Sequence, residues 1–220
     1  LKANFNVVFV EYSRSPEVAY PVANNEGYFV VSYISKYGRE YGLDSNQIHI
    51  GGDSVGGNIA TAIAMMAKER KMLEIKTQIL INPVTDANFD TQSYHQFSEG
   101  HYLSRKSMQW FWSVYAPDKK SRLLATVAPL QATIVELEGL PKTLLLTAEF
   151  DVLRDEGEAY AKKLRMANVS VTSSRYGGTI HDFFVLNRLK DTEPSKAALE
   201  QVCSFLKSNT NTNTNINNKL

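Results

Sequence analysis

The chain has 220 residues, 43% hydrophobic and 21% charged, an ordinary balance for one domain with a sizeable core. Lys and Arg number 24 against 23 Asp and Glu, a net charge of +1 with no dense basic stripe, so a nucleic acid is excluded as the expected partner. The sequence has no apolar run of about 18 residues, which excludes stable membrane insertion through a helix, and its single cysteine, Cys203, excludes an internal disulfide and fits a reducing, cytoplasmic setting.

Asn6 to Tyr12, NVVFVEY, is a β-branched and aromatic run stopped by Pro16, and is predicted as a buried strand. From Pro21, apolar and small residues recur at spacings of three and four through Gly38, which predicts a helix over 21–41. QIHIGGD reads as a strand, VGGNIATAIAMMAKER as a helix and IKTQILINP as another strand, joined by short connections as in α/β units. Residues 85–139 break this alternation with a polar, aromatic-rich insertion that contains one predicted helix near Ser104 to Tyr115. The rhythm then resumes with KTLLLTAEF as a strand, RDEGEAYAKKLRMAN as a helix, VSVTSSRY as a strand and a last helix near Ser195 to Lys207. The expected fold class is α/β, a mostly parallel doubly wound sheet over residues 1–207. Residues 208–220, rich in Asn and Thr, have no apolar face and read as a disordered tail.

Gly52-Asp53-Ser54-Val55-Gly56 matches G-x-S-x-G, and Ser54 falls between a predicted strand and a predicted helix. Such a turn requires small neighbours, strains the serine backbone and lifts the hydroxyl above the strand ends, with the helix N–H groups beside it. A plain tight turn or a phosphate loop is the competing interpretation, although neither Gly-Lys-Ser/Thr nor G-x-G-x-x-G spacing fits.

A serine nucleophile needs a base. Of the four histidines, His49 lies inside a strand, and His95 and His101 lie in the insertion; His181 follows the last strand, in RYGGTIHDFF. The orienting acid belongs at a strand end between serine and histidine in sequence, which points to Asp151 in LLLTAEFD. Asp155 and Glu156 fall in the next helical turn, where the helix dipole alone accounts for acids. Ser54, Asp151 and His181 thus stand in chain order at the C-terminal ends of three strands, where open α/β sheets place their sites.

These residues carry a resemblance to the hormone-sensitive-lipase-like branch of the α/β-hydrolases. GGDSVGGNIA is similar to its GDSAGGN elbow, FDVLRDEGEAYAKKL to its DPLRDEG acid segment, GGTIHDF to its GxxHGF histidine loop and EYSRSPEVAYPVA to its DYRLAPE stretch. The resemblance implies Ser54 as nucleophile, Asp151 as acid, His181 as base and the Val55 amide as one oxyanion donor, hydrolysing a small carboxylic ester of short to medium acyl chain without cofactor or metal. It also implies that the insertion is a partial helical cap. Val152, Phe183 and Trp110 are expected to line the acyl pocket.

Departures from the family pattern are Ser13, Val152 and Asp182, the last beside His181 and expected to raise its basicity. The HGGG loop that supplies further oxyanion donors does not precede NVVFVEY, so the sequence reads as an N-terminally incomplete hydrolase lacking a strand between that segment and QIHIGG. Alternatives are a receptor-like, non-catalytic binder of the same fold, an inactive fragment, or an amide hydrolase using the same residues.

Overall fold

A computed structural model describes residues 3–71 and 74–210. Four parallel strands, β1 (Ile48–Asp53), β2 (Ile75–Ile81), β3 (Lys142–Phe150) and β4 (Val171–Ile180), lie in the spatial order β1-β2-β3-β4. Each crossover carries a helix: α2 (Val55–Arg70) joins β1 to β2, and α6 (Arg154–Met166) joins β3 to β4. Helix α1 (Val22–Tyr37) precedes β1, and α7 (Glu193–Ser208) follows β4.

Side chains alternate along a strand, and the two central strands show what each face buries. Leu80 and Leu145 face α1, α2 and α6, in a core with Ile59, Ile63, Tyr160 and Leu164. Ile79, Ile81, Leu144 and Leu146 face the other way, where Phe183 and Ala198 of the α7 side complete a second core. Helices on both faces make the sheet doubly wound, as expected.

The insertion between β2 and β3 holds α3 (Gln92–Gln96), α4 (Arg105–Tyr115) and the single turn α5 (Ile134–Leu137), two helices more than expected. Helices α3 and α4 begin with serine or threonine caps: Thr91 accepts from the Tyr94 amide and Ser104 from the Ser107 amide. A third core of Tyr94, Phe97, Met108, Trp112 and Val127 packs onto Val152 and Leu153, just beyond β3.

Three expectations are corrected. Asn6 to Tyr12 is extended, but it joins no ladder among the described residues, and Val7 and Phe9 are 83% and 84% exposed. A β-favouring run becomes a buried strand only beside a partner, and among the described residues the sheet ends at β1. Strand β4 runs on through Gly177 and Gly178 to Ile180, because these residues form a bulge: Ala148 pairs with Tyr176 and Phe150 with Ile180. Ser208, expected in the tail, belongs to α7, and the Asn209 amide N–H donates to the Leu206 carbonyl; residues 211–220 of that expectation lie outside the described residues. No described helix is long and apolar enough to cross a membrane.

Candidate active site

Ser54 occupies the turn from β1 into α2 with φ 56° and ψ −119°, a conformation costly to a residue with a side chain. The turn is too tight for a side chain at Gly52: a Cβ there would lie 2.2 Å from the Gly56 backbone carbon. Two bonds lock the turn to the sheet end: the Ser54 amide donates to the Ile81 carbonyl at 2.9 Å, and the Val84 amide donates to the Ser54 carbonyl at 3.2 Å. Val55 opens α2, so its N–H is among the amides that the helix leaves without an internal acceptor.

Asp151 follows β3 and is fully buried; its Oδ1 accepts from the Leu153 amide at 3.0 Å, which aims Oδ2 back across the sheet. His181 follows β4 and is also buried. Its Nδ1 lies 2.7 Å from Asp151 Oδ2 and its Nε2 lies 2.9 Å from Ser54 Oγ. The Gly177–Gly178 bulge sets the approach to His181: Gly178 has φ +69°, and its amide donates to Glu149 Oε2 at 2.7 Å. Ser54, Asp151 and His181, separated by up to 127 residues in sequence, therefore meet in one hydrogen-bonded line.

Two further carboxyls, at Asp53 and Asp182, crowd this line. Asp182 Oδ1 lies 3.2 Å from His181 Nε2, and Asp182 has φ +61°. Both oxygens of Asp53 are buried without an N–H or O–H partner among the described residues; the neighbouring polar group is the Asp182 carboxyl. Burial, reinforced by Asp182 and Asp151 and opposed by His181, pushes Asp53 up to about 8, so it holds a proton at neutral pH that it can share with Asp182. Burial alone would lower His181, but the Asp151, Asp182 and Asp53 carboxyls outweigh it and hold the imidazole at about 9. Asp53, His181 and Asp182 offer polar atoms within 4.8 Å of one another. Both imidazole nitrogens are already engaged, by Asp151 and Ser54, which leaves no imidazole nitrogen free to hold an ion.

The three residues expected to line a pocket fall in different surroundings. Val152 is buried in the insertion core and Phe183 in the core beneath α7, on the other side of the sheet, so neither presents surface to a ligand. Both side chains are consumed in packing. Trp110 is 53% exposed on α4, edge-on to Phe111, whereas Met108 and Trp112 are the residues of that helix facing the core.

Sequence reasoning assigned Glu156 to the helix dipole and passed over Asn58. Glu156 is buried and its Oε1 accepts from the Thr85 and Asp86 amides at 2.7 and 3.1 Å, fixing the start of the insertion. Its neighbour Asp155 accepts from the Ser93 amide at 2.7 Å. Asn58, in the turn of α2 following Ser54, donates to the Val84 and Val127 carbonyls at 3.0 and 2.8 Å, clamping the start of the insertion and a segment within it to the serine-bearing helix. The dense polar motif GGN was the available signal for Asn58.

A serine on a strand-to-helix turn, facing a histidine and an aspartate from later strand ends of a doubly wound sheet, is the architecture of the α/β hydrolases. Residues 1–185 match a family model described as alpha/beta hydrolase fold, and the chain belongs to that family, in its esterase-rich, hormone-sensitive-lipase-like branch. It is 44% identical over 214 residues to a protein of Acanthamoeba polyphaga mimivirus that is named for the α/β hydrolases, covering 97% of this chain and 62% of that one. It is 31% identical over 182 residues to an ethyl acetate hydrolase of Pseudomonas putida, covering 82% of this chain and 57% of the relative. Among solved structures, a thermostable esterase from Pseudomonas putida superposes with a TM-score of 0.89 at 47% identity, over 90% of this chain and 62% of that one. The chain spans about 62% of the length of the first of these relatives.

Proposed function

We propose that Ser54, His181 and Asp151 form the catalytic triad of a carboxylic-ester hydrolase acting on short to medium acyl esters. The observation that carries this reading is the line Ser54 Oγ, His181 Nε2, His181 Nδ1, Asp151 Oδ2, with links of 2.9 and 2.7 Å. The names of the relatives, esterases and an ethyl acetate hydrolase, support ester chemistry over other acyl transfer.

Neutral His181 donates Nδ1–H to Asp151 and accepts the Ser54 hydroxyl proton at Nε2 as Oγ bonds to the ester carbon. The carbonyl π pair moves to oxygen, where the Val55 N–H at the α2 terminus stabilises it. Collapse breaks the ester C–O bond, and the Nε2 proton goes to the departing alcohol. Water then repeats the sequence on the acyl-serine, releasing the acid and restoring Ser54. The one proton that the alcohol carries away is replaced by water in the second half-reaction. The insertion core, packed on the residues that follow Asp151, supports an enclosed site suited to small esters.

The test is p-nitrophenyl butyrate hydrolysis by the chain beside Ser54→Ala, with circular dichroism confirming that both are folded. Release that the alanine variant abolishes supports the reading, and equal release from both refutes it. Because the imidazole is held at about 9, the neutral base is a small fraction at pH 7, and kcat/KM is expected to rise with pH up to about 9. A profile already flat from pH 6.5 would contradict that assignment of the base.

A further inference from the structure

His181 Nε2 serves two oxygens: Ser54 Oγ at 2.9 Å and Asp182 Oδ1 at 3.2 Å. We propose that Asp182 is a positioning residue that draws the Nε2–H of His181 away from the departing alcohol. The site is thereby biased toward esters whose leaving group departs without a full proton, aryl and enol esters ahead of alkyl esters. This inference rests on the ester-hydrolase reading above.

The placement of Asp182 is set by its backbone. The Val185 and Leu186 amides both donate to its carbonyl at 3.0 Å, fixing a turn in which Asp182 takes φ +61°. That left-handed conformation suits glycine, yet a carboxylate occupies it and is directed at the imidazole. No Lys or Arg forms an ion pair with Asp182 among the described residues; its cationic partner is His181. The groups facing the imidazole are Asp151 from the end of β3, Asp53 from the end of β1 and Asp182 from its own loop, while Tyr102 of the insertion faces Asp182. Asp53, protonated at neutral pH, and Tyr102 can both donate to Asp182, which holds its carboxyl in place.

The consequence falls on one step. When the tetrahedral intermediate collapses, the C–O bond breaks, its electron pair goes to the leaving oxygen, and the proton on Nε2 is wanted both there and at Asp182 Oδ1. A charge-assisted bond to carboxylate is the stronger attraction until the leaving oxygen has gained substantial charge. A phenol, with a pKa of about 10 like tyrosine, leaves before that matters. An alkyl alcohol, close to water at ~15.7, needs the proton early and is slowed.

The experiment compares phenyl butyrate with ethyl butyrate for the chain, Asp182→Gly, Asp182→Asn and Ser54→Ala, and follows His181 by nitrogen NMR titration, which needs no substrate. Glycine and asparagine both tolerate φ +61°, so the variants are expected to fold. The expected result is a kcat ratio of ethyl to phenyl ester raised about tenfold or more in both variants, the equivalent of one pKa unit on the proton donor, with KM little changed. The His181 titration midpoint is expected to fall in both. An unchanged ratio with turnover that still requires Ser54 would overturn the proposal alone, as would an unmoved His181 midpoint. Turnover indifferent to Ser54→Ala would overturn the ester-hydrolase reading and this proposal with it.

Discussion

Replacing Asn58 by alanine removes the two hydrogen bonds that tie the serine-bearing helix to the start of the insertion and to Val127 within it. Asn58 is fully buried, and its amide bridges the Val84 and Val127 carbonyls at 3.0 and 2.8 Å. Leaving a buried acceptor unpaired costs about 1–3 kcal/mol, so two of them cost about 2–4 kcal/mol after partial relaxation. At about 2–4 °C per kcal/mol for a chain of this size, Tm is expected to fall by about 4–16 °C. Asn58→Asp leaves no cavity but turns a carboxylate toward two carbonyls, and is expected to lose at least as much, which separates the lost donors from the lost volume. The Val84 amide also holds the Ser54 carbonyl, so kcat/KM is expected to fall with stability, by about tenfold or more. Urea unfolding followed by circular dichroism measures the first effect, and ester hydrolysis the second. Asn58→Ala within about 0.5 kcal/mol of the parent, or Asn58→Asp more stable than Asn58→Ala, would refute the argument.

Gly52→Ala places a Cβ 2.2 Å from the Gly56 backbone, which must move; a loss of about 1–3 kcal/mol and about 100-fold in kcat/KM is expected, whereas Gly56→Ala meets open space and is expected to unfold within about 1 kcal/mol of the parent. Asp53 and His181, raised from 3.8 to about 8 and from 6.5 to about 9, each bind a proton more tightly in the folded chain. Their stabilisation is therefore complete below the lower value of each pair and is lost as pH rises through the upper one. Thermal scans are expected to show Tm falling from about pH 6 to 9.5, with a shallower fall for Asp53→Asn, and a Tm that climbs over that range would exclude the assignment. Burial pushes the Glu156 carboxyl well above the usual range, so Glu156→Gln, which still accepts from Thr85 and Asp86, is expected to unfold within about 1 kcal/mol of the parent. Glu156→Ala, which strands both amides, is expected to lose about 2–4 kcal/mol by the same denaturant measurement.

Legibility in the sequence followed how local each signal is. The core strands and helices from Ile48 onward were readable because apolar period and turn residues are written within about ten neighbouring positions, whereas the short α3 and α5 of the insertion were not. The meeting of Ser54, Asp151 and His181 was readable because an open parallel sheet brings strand ends together, so position along each strand stood in for proximity. Asn6 to Tyr12 misled because a β-favouring run does not state whether a partner strand lies beside it. Gly177 and Gly178 read as a loop because a bulge and a loop use the same residue for the same positive φ. Glu156 looked like a helix-dipole acid because its actual partners, Thr85 and Asp86, are some 70 residues away. Val152 and Phe183 were expected in a pocket, but both are apolar and were absorbed by the two cores, which the sequence does not distinguish from a pocket wall.

The three triad residues ride on β1, β3 and β4, while β2 lies between the serine strand and the other two. Their distances therefore depend on the register of all four strands: Asp53 opposite Ile81, Ile81 opposite Leu146, and Phe150 opposite Ile180 after the bulge. The insertion is fastened to this frame by buried polar clamps whose anchors sit beside the site: Asn58 in the helix that Ser54 begins, and Asp155 and Glu156 in the helix that follows Asp151. A polar clamp is directional where apolar packing is not, so it fixes the orientation of the insertion over the triad as well as its attachment. Losing one is thus expected to appear in substrate turnover as well as in stability, and the paired measurements on Asn58 separate this coupling from simple loosening of the fold.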